Sequence, residues 1–126
     1  MSLRTPLSQA RGLGSAKDGV NHWWMQRLTA IALIPLSLWF VFSIARYHLV
    51  NYPTMVLWLQ NPYVAIALVL YFTALFYHSA LGVQVVIEDY VASEGLKLVS
   101  IVLMKLAHFA LAAASIFAVL KIAFGA

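Results

Sequence analysis

The sequence predicts an all-α membrane protein with three transmembrane helices. Of its 126 residues, 63% are hydrophobic and only 10% are charged, and the mean hydropathy is +0.88. A soluble domain has about 25% charged residues, and a water-soluble fold of this length could not bury so much apolar surface. At about 20 residues for each span, the chain has room for three spans and little else.

Composition also excludes several classes of function. The chain has no cysteine, which excludes disulfides, thiolate metal sites and thiol catalysis. The net charge is only +4, and the basic residues lie mostly near the ends of apolar segments. A nucleic-acid-binding surface would need clustered Lys and Arg. We therefore expect the chain to contact membrane lipid and no nucleic acid.

A polar N-terminal segment, residues 1–21, leads into the first apolar segment. It lacks the continuous apolar core of a signal peptide, and although it faintly resembles a transit peptide, the first span can itself direct insertion. Trp23 and Trp24 near Arg27 are typical of an interfacial anchor. We therefore expect the first span over residues 28–44.

The rest of the chain divides into a connection and two further spans, which complete a single membrane-anchor domain over residues 1–126. Residues 49–62 contain an apolar stretch that is too short to cross a bilayer. We predict a short interfacial helix there, with Trp58 as its anchor. The second span is expected over residues 63–87 and the third over residues 98–120.

The basic residues predict the orientation of the spans. Pro35 is expected to bend the first span, and Arg46, Tyr47 and His48 close it at the far interface. Lys and Arg in short loops favour the cytoplasmic side. This rule places the N-terminus and the turn after the second span in the cytoplasm and the C-terminus in the periplasm. The cytoplasmic group is Arg4, Arg11, Lys17, Arg27 and Lys97, and the opposite group is Arg46 and Lys121.

His78 lies in the second apolar segment, eleven residues before Asp89. On a helix this separation is about 16 Å, which places the imidazole near the middle of a hydrocarbon core about 30 Å thick. An ionisable residue there costs roughly 2.5 kcal/mol or more unless it is paired or ligated. Two interpretations stay open: a hydrogen bond to a neighbouring helix, and axial ligation of a haem. Gly82, one turn further on the same face, would allow a macrocycle or another helix to approach closely.

Four further polar residues are candidates. His108 is a rival ligand in the third span, although Lys105 on the same face would discourage a cationic haem iron. Together these two residues suggest a face that contacts a partner chain, lipid phosphate or a water-filled cleft, and Lys105 could also extend toward the cytoplasmic interface. Asp89 and Tyr90 either mark a helix end, as acids and tyrosine commonly do, or bind a quinone. A phenol can donate a hydrogen bond to a quinone carbonyl, and a neighbouring carboxylate can pass protons.

The order and spacing of these residues resemble a known family. The pattern His-x3-Gly-x6-Asp-Tyr is similar to that of the small hydrophobic membrane-anchor subunit of succinate dehydrogenase, of cytochrome b type. The approach to the first span resembles the alphaproteobacterial and mitochondrial-like branch of that family. The residues that carry the resemblance are His78, Gly82, Asp89, Tyr90 and the runs 12–17, 19–24, 26–27 and 29–31.

The resemblance implies cofactors and roles for five residues. His78 matches the family's axial ligand to haem b, whose other ligand is a histidine of the second anchor protein of the complex. Tyr90 matches the tyrosine that hydrogen-bonds ubiquinone, and Asp89 matches the adjacent acid. Arg27 matches an arginine near the haem propionates, where a guanidinium can pair with a carboxylate. His22 is expected near the propionates as well.

The resemblance also implies a complex in the bacterial inner membrane. With the second anchor protein, the chain would anchor an iron–sulfur subunit and a flavoprotein on the cytoplasmic face and pass electrons from succinate to ubiquinone. It would carry no catalytic residue and would not be an enzyme in isolation. Two alternatives stay open: a fumarate reductase anchor that works in reverse, and a cofactor-free structural subunit in which His78 only hydrogen-bonds a helix.

Overall fold

The computed structural model describes residues 5–7, 16–47 and 51–125 and, for residues 16–18, the backbone alone. From residue 16 onward, four α-helices follow one another, joined by short connections. The described part of the chain contains no strand. The helices are α1 (Ala16–Tyr47), α2 (Tyr52–Leu59), α3 (Pro62–Tyr90) and α4 (Glu94–Ala123).

Local sequence signals set the starts of helices α3 and α4. The Asn61 side chain accepts a hydrogen bond from the Tyr63 N–H at 3.0 Å, and Pro62 occupies the first turn, where its missing N–H costs nothing. Ser93 caps α4 by accepting from the Leu96 N–H at 3.5 Å. Because α4 begins so soon after α3 ends at Tyr90, the two helices form a close antiparallel pair.

Helix α3 is the centre of the bundle, because it packs against α1 on one side and against α4 on the other. Leu68, only 2% exposed, is the most deeply buried side chain of α3. It forms a cluster with Ala65 of the same helix, Leu59 of α2 and Val119 of α4. The cluster lies at the end of the bundle where α3 begins, so it fixes that end of the three long helices.

Aromatic contacts attach the short helix α2 to this end of the bundle. The Trp58 ring stacks on Trp39 of α1 with centroids 5.7 Å apart. At the next residue of α1, Phe40 stacks on Tyr71 of α3 at 5.1 Å. Such ring pairs contribute about 0.5–1.5 kcal/mol beyond the area that they bury. The predicted short helix is therefore confirmed, while its position in the membrane interface stays a prediction.

Three helices are long and apolar enough to cross a membrane, over residues 19–47, 62–90 and 94–123. The predicted number of spans is therefore confirmed. Each helix is longer than the predicted span, because hydropathy marks the apolar part and the helix continues into polar turns. Helix α1 runs without interruption through Pro35.

Several residues used to predict the orientation lie outside the described part of the chain. These are Arg4 and Arg11, and of Lys17 only the backbone is described; His48, expected to close the first span, also lies outside the described residues. The orientation of the chain across the membrane stays a prediction.

Replacing Leu68 with alanine should destabilise the bundle by about 2 kcal/mol, because the truncation leaves a cavity that neighbouring side chains cannot fill. The same change at Leu70, which is 57% exposed on the same helix, should have little effect. The melting temperature of the protein in mild detergent measures both. Equal losses for the two variants would contradict the position of the core.

Candidate functional site

His78 is tied to helix α1 through Thr29. Its Nδ1 atom lies 3.0 Å from the Thr29 hydroxyl oxygen, and Thr29 is buried. The same hydroxyl oxygen lies 2.7 Å from the carbonyl oxygen of Met25 and 3.1 Å from that of Gln26. His78 therefore does hydrogen-bond a neighbouring helix, and that bond occupies only one of its ring nitrogens.

The second ring nitrogen of His78, Nε2, has no hydrogen-bond partner among the described residues. This Nε2 atom is not buried. The buried side-chain atoms without a partner in that part of the chain are His22 Nε2 and Gln26 Oε1. The imidazole instead lines an open groove of about 410 Å³ along α1. The residues of α1 that form this groove, called here the α1 groove, are Ala30, Leu33, Ile34, Ser37 and Leu38.

Arg27 lies on the face of α1 that forms the α1 groove. It precedes Ala30 by three residues and Ile34 by seven, and this spacing places all three on one face. Its guanidinium carbon lies 4.6 Å from the ring centroid of Trp23, a cation–π contact. An exposed cation therefore lies about one helical turn beyond the α1 groove, on the side where helix α1 begins.

His22 lies on a different face of α1, the face that packs against α3. The residues His22, Gln26 and Thr29 follow a four-then-three spacing, which keeps them on one side of a helix. The His22 Nε2 atom is buried, so this atom faces the interior and not the α1 groove. The structure therefore places His78 in the α1 groove and Arg27 about one helical turn beyond it, whereas His22 Nε2 faces the interior.

Gly82 lies opposite this same polar face. A Cβ atom at Gly82 would meet the Gln26 Nε2 atom at 3.7 Å, which is an ordinary contact distance. The side chain of Gln26 from α1 therefore lies against Gly82, at a distance that would also accommodate a Cβ atom.

The second intramembrane histidine, His108, is bonded at both ring nitrogens. Its Nδ1 atom lies 2.9 Å from the Met104 carbonyl oxygen, and its Nε2 atom lies 3.0 Å from the Ser79 hydroxyl oxygen. A carbonyl only accepts, so Nδ1 carries the proton and, in the neutral ring, Nε2 accepts from Ser79. His108 therefore joins α4 to α3 and has no nitrogen left for a metal ion.

A second groove, of about 620 Å³, lies between α3 and α4 beside His108. Lys105 lines it and is exposed, and it forms no ion pair within the described chain, where Lys97 and Glu94 pair at 3.2 Å. Gln84 lines the same groove, and its Nε2 atom donates to Glu88 at 2.8 Å. Lys105 therefore shares this groove with Gln84, whose partner Glu88 lies near the end of α3, and a lysine there can extend toward the interface.

Asp89 and Tyr90 form the exposed end of α3. Tyr90 is 83% exposed, and neither side chain has a hydrogen-bond partner among residues that the structure describes. They lie about 16 Å along the helix from His78. The structure therefore separates the candidate residues into two places, the α1 groove at His78 and the open helix end at Tyr90.

Two residues of these sites were not predicted from the sequence as functional. Thr29 and Ser79 each hold a histidine of the bundle through a hydroxyl group. Each is a small polar residue inside an apolar segment, and that is the signal that could have found it. In the described ranges no cluster of three or more His, Cys, Asp or Glu side chains could hold a metal ion by itself.

Comparison with known proteins shows the family of this chain. The model of the succinate dehydrogenase/fumarate reductase transmembrane subunit matches residues 1–119. The succinate dehydrogenase hydrophobic membrane anchor subunit of Rickettsia bellii is 38% identical over 106 residues, covering 82% of this chain and 83% of that one. The corresponding subunit of Paracoccus denitrificans is 28% identical over 126 residues, covering 100% and 97%. The membrane anchor subunit of Reclinomonas americana is 36% identical over 92 residues, covering 71% and 77%. No solved structure matched.

Three long apolar helices and a histidine-lined groove define a multi-pass helical membrane protein with polar groups at the middle of its spans. Within that class, the chain belongs to the succinate dehydrogenase/fumarate reductase transmembrane subunit family. The predicted resemblance to alphaproteobacterial anchor subunits is confirmed.

The hydroxyl contacts within the bundle differ in what they should contribute to stability. Replacing Ser79 with alanine removes a hydrogen bond between α3 and α4, which should cost about 0.6 kcal/mol in a membrane bundle. Ser115 is the matched control, because its hydroxyl bonds only the Leu111 carbonyl of its own helix at 2.8 Å. Melting in mild detergent should show a lower temperature for Ser79→Ala than for Ser115→Ala. The reverse order would contradict the contact.

Proposed function

We propose that the chain is a membrane-anchor subunit of a succinate dehydrogenase that binds haem b and ubiquinone together with a partner anchor subunit. It would pass electrons from succinate to ubiquinone as part of the complex. Membership of the family supports the role as anchor. The single observation that carries the cofactor assignment is that His78, whose Nε2 atom has no hydrogen-bond partner in the described chain, lines the α1 groove at mid-span.

The residues of the α1 groove fit a haem. Haem is a largely apolar disc with acidic substituents, and the groove is apolar, lined by a histidine with a free nitrogen, and followed by the Arg27 cation. His78 would be an axial ligand, and Arg27 would pair with a propionate. Haem bound there would supply one-electron redox chemistry. His22 near the propionates has less support from the geometry, because its Nε2 atom is buried.

His78 is the one described histidine that lines a groove and has an unpartnered nitrogen that is not buried, so the described part of the chain would offer one ligand to the haem iron. His108 is bonded at both nitrogens. The second ligand would therefore come from the partner anchor subunit across the α1 groove. This requirement also gives the exposed apolar face of α1 a partner, in place of lipid.

At the end of α3, Tyr90 and Asp89 would form part of a ubiquinone pocket. The Tyr90 hydroxyl can donate a hydrogen bond to a quinone carbonyl, and reduction of the quinone consumes protons that Asp89 can relay. Both side chains are exposed and unpartnered within the described chain, as expected for groups that meet their partners in a complex. The remaining contacts would come from other subunits.

The orientation follows from the basic residues. We propose that the start of α1 and the α3–α4 turn face the cytoplasm of a bacterial inner membrane, with the C-terminus in the periplasm. The iron–sulfur subunit and the flavoprotein would dock on that cytoplasmic face, next to Tyr90. A fumarate reductase anchor is the alternative that the family description itself includes. The species of quinone extracted from the source membrane distinguishes the two directions.

Replacing His78 with glutamine should abolish the reduced cytochrome b spectrum of the complex, because glutamine cannot replace an imidazole as an iron ligand. His108→Gln is the matched control within the spans and should keep the spectrum. Absorption spectroscopy of the dithionite-reduced complex measures both. An unchanged spectrum in His78→Gln would remove the ligand assignment, and a wild-type complex without haem would favour the cofactor-free alternative.

Replacing Tyr90 with phenylalanine should lower succinate:ubiquinone reductase activity about 10-fold or more, because the hydroxyl donor and proton path are lost. Succinate oxidation with an artificial acceptor should survive. Tyr63→Phe, at the other end of α3 and 82% exposed, should leave both activities unchanged. A parallel loss of both activities in Tyr90→Phe would show a defect in assembly and contradict the quinone role.

A further inference from the structure

We propose that Thr29 is the positioning residue for His78, whose imidazole it holds in the tautomer that leaves the Nε2 lone pair open to the α1 groove. The tautomer can be assigned from the hydrogen bonds of the Thr29 hydroxyl alone. Its importance for haem binding rests on the proposed function.

The assignment starts from the single proton of the Thr29 hydroxyl. The hydroxyl oxygen lies 2.7 Å from the Met25 carbonyl oxygen and 3.1 Å from the Gln26 carbonyl oxygen. Carbonyl oxygens only accept, so the hydroxyl proton is directed to them. The Thr29 oxygen must then be the acceptor in its 3.0 Å contact with His78, and Nδ1 carries the proton.

The position of Thr29 makes this bond persistent. Thr29 is 8% exposed, between α1 and the central helix α3. Neither water nor lipid can replace the hydroxyl there without separating the helices, and an unpartnered polar group in a bilayer is costly. The bond therefore fixes the rotation of the ring as well as its protonation.

The consequence appears at the opposite side of the ring. A neutral imidazole with its proton on Nδ1 has a lone pair on Nε2. This Nε2 atom is not buried and has no partner in the described chain, and His78 lines the α1 groove. His108 carries its proton on the same nitrogen, but Ser79 occupies its Nε2 atom. The same tautomer therefore leaves the Nε2 atom of His78 available to a metal ion, whereas the Nε2 atom of His108 is used in a contact between helices.

The hydrogen-bond chain from His78 through Thr29 to Met25 also affects how strongly His78 would bind a metal ion. Histidines that bind metals almost always donate their second N–H to an acceptor, which fixes the tautomer and raises the basicity of the ligating nitrogen. Here the acceptor is a hydroxyl that is itself polarised by a carbonyl. Loss of such a partner typically lowers metal affinity about 10- to 100-fold.

Three variants test this role in the complex purified with its partner subunits. Thr29→Val keeps the shape and removes the hydroxyl, and Thr29→Ser keeps the hydroxyl. Thr73→Val is the matched control, since the Thr73 hydroxyl bonds only the Val69 carbonyl, at 2.7 Å. The half-time of haem transfer to excess apomyoglobin should fall about 10-fold or more in Thr29→Val and stay near the wild-type value in Thr29→Ser and Thr73→Val.

A second measurement is independent of haem. Solid-state ¹⁵N NMR of the full chain, reconstituted in lipid without haem, reports which nitrogen of His78 is protonated, with the signal assigned by its loss in His78→Gln. We expect a protonated Nδ1 in the wild type and in Thr29→Ser, and a mixture of tautomers in Thr29→Val.

The outcomes separate the two proposals. Protonated Nε2 in the wild type, or haem retention in Thr29→Val equal to the wild type, would overturn the role of Thr29 and leave haem binding intact. The role of Thr29 would also be overturned if Thr29→Ser lost haem as fast as Thr29→Val, because the hydroxyl group would then not be what retains the haem. A wild-type complex without haem, but with a protonated Nδ1, would overturn the proposed function and support the tautomer.

Discussion

The hydrocarbon surroundings of the three spans impose one constraint on every polar side chain within them, which is that its partner must come from protein. A bilayer core offers no water to satisfy a hydroxyl or an imidazole. Thr73 and Ser115 meet the constraint within one helix, by donating to the carbonyl one turn earlier. Thr29 and Ser79 meet it across helices, each with a histidine. The second solution does two things at once, because it satisfies the polar groups and sets the rotation of α3 against its neighbours.

The same constraint gives the two histidines within the spans different roles. His108 has both nitrogens bonded and closes the contact between α3 and α4. His78 lines the α1 groove and has one nitrogen bonded and the other without a partner in the described chain. An unpartnered nitrogen at mid-span is expensive in lipid, which is the physical reason to expect its partner outside the described chain. The chain belongs to a family of transmembrane subunits, for which contacts with other subunits are expected.

Composition and hydropathy were sufficient to predict the class of the fold. The three spans and the short helix near Trp58 follow from apolar length, and His78 and Tyr90 were found because polar residues stand out in apolar segments. Helix rotation could not be found in this way. Whether His22 faces the groove or the interior, and whether Thr29 touches His78, depends on how α1 and α3 pack. Hydropathy also misses the start of α1 at Ala16, because polar turns can continue a helix.

His78 and Ser79 are consecutive, yet they form contacts with different neighbours of α3, namely α1 and α4. Their bonds therefore depend on a rotational register that runs from the buried cluster at Leu68 through Tyr71, which stacks on Phe40. One residue inserted or deleted between Tyr71 and His78 would turn the rest of α3 by about 100° and break both histidine contacts together. A change in the length of this short segment should therefore be tolerated less well than a change in its exposed apolar side chains, which can be exchanged for others of similar hydrophobicity.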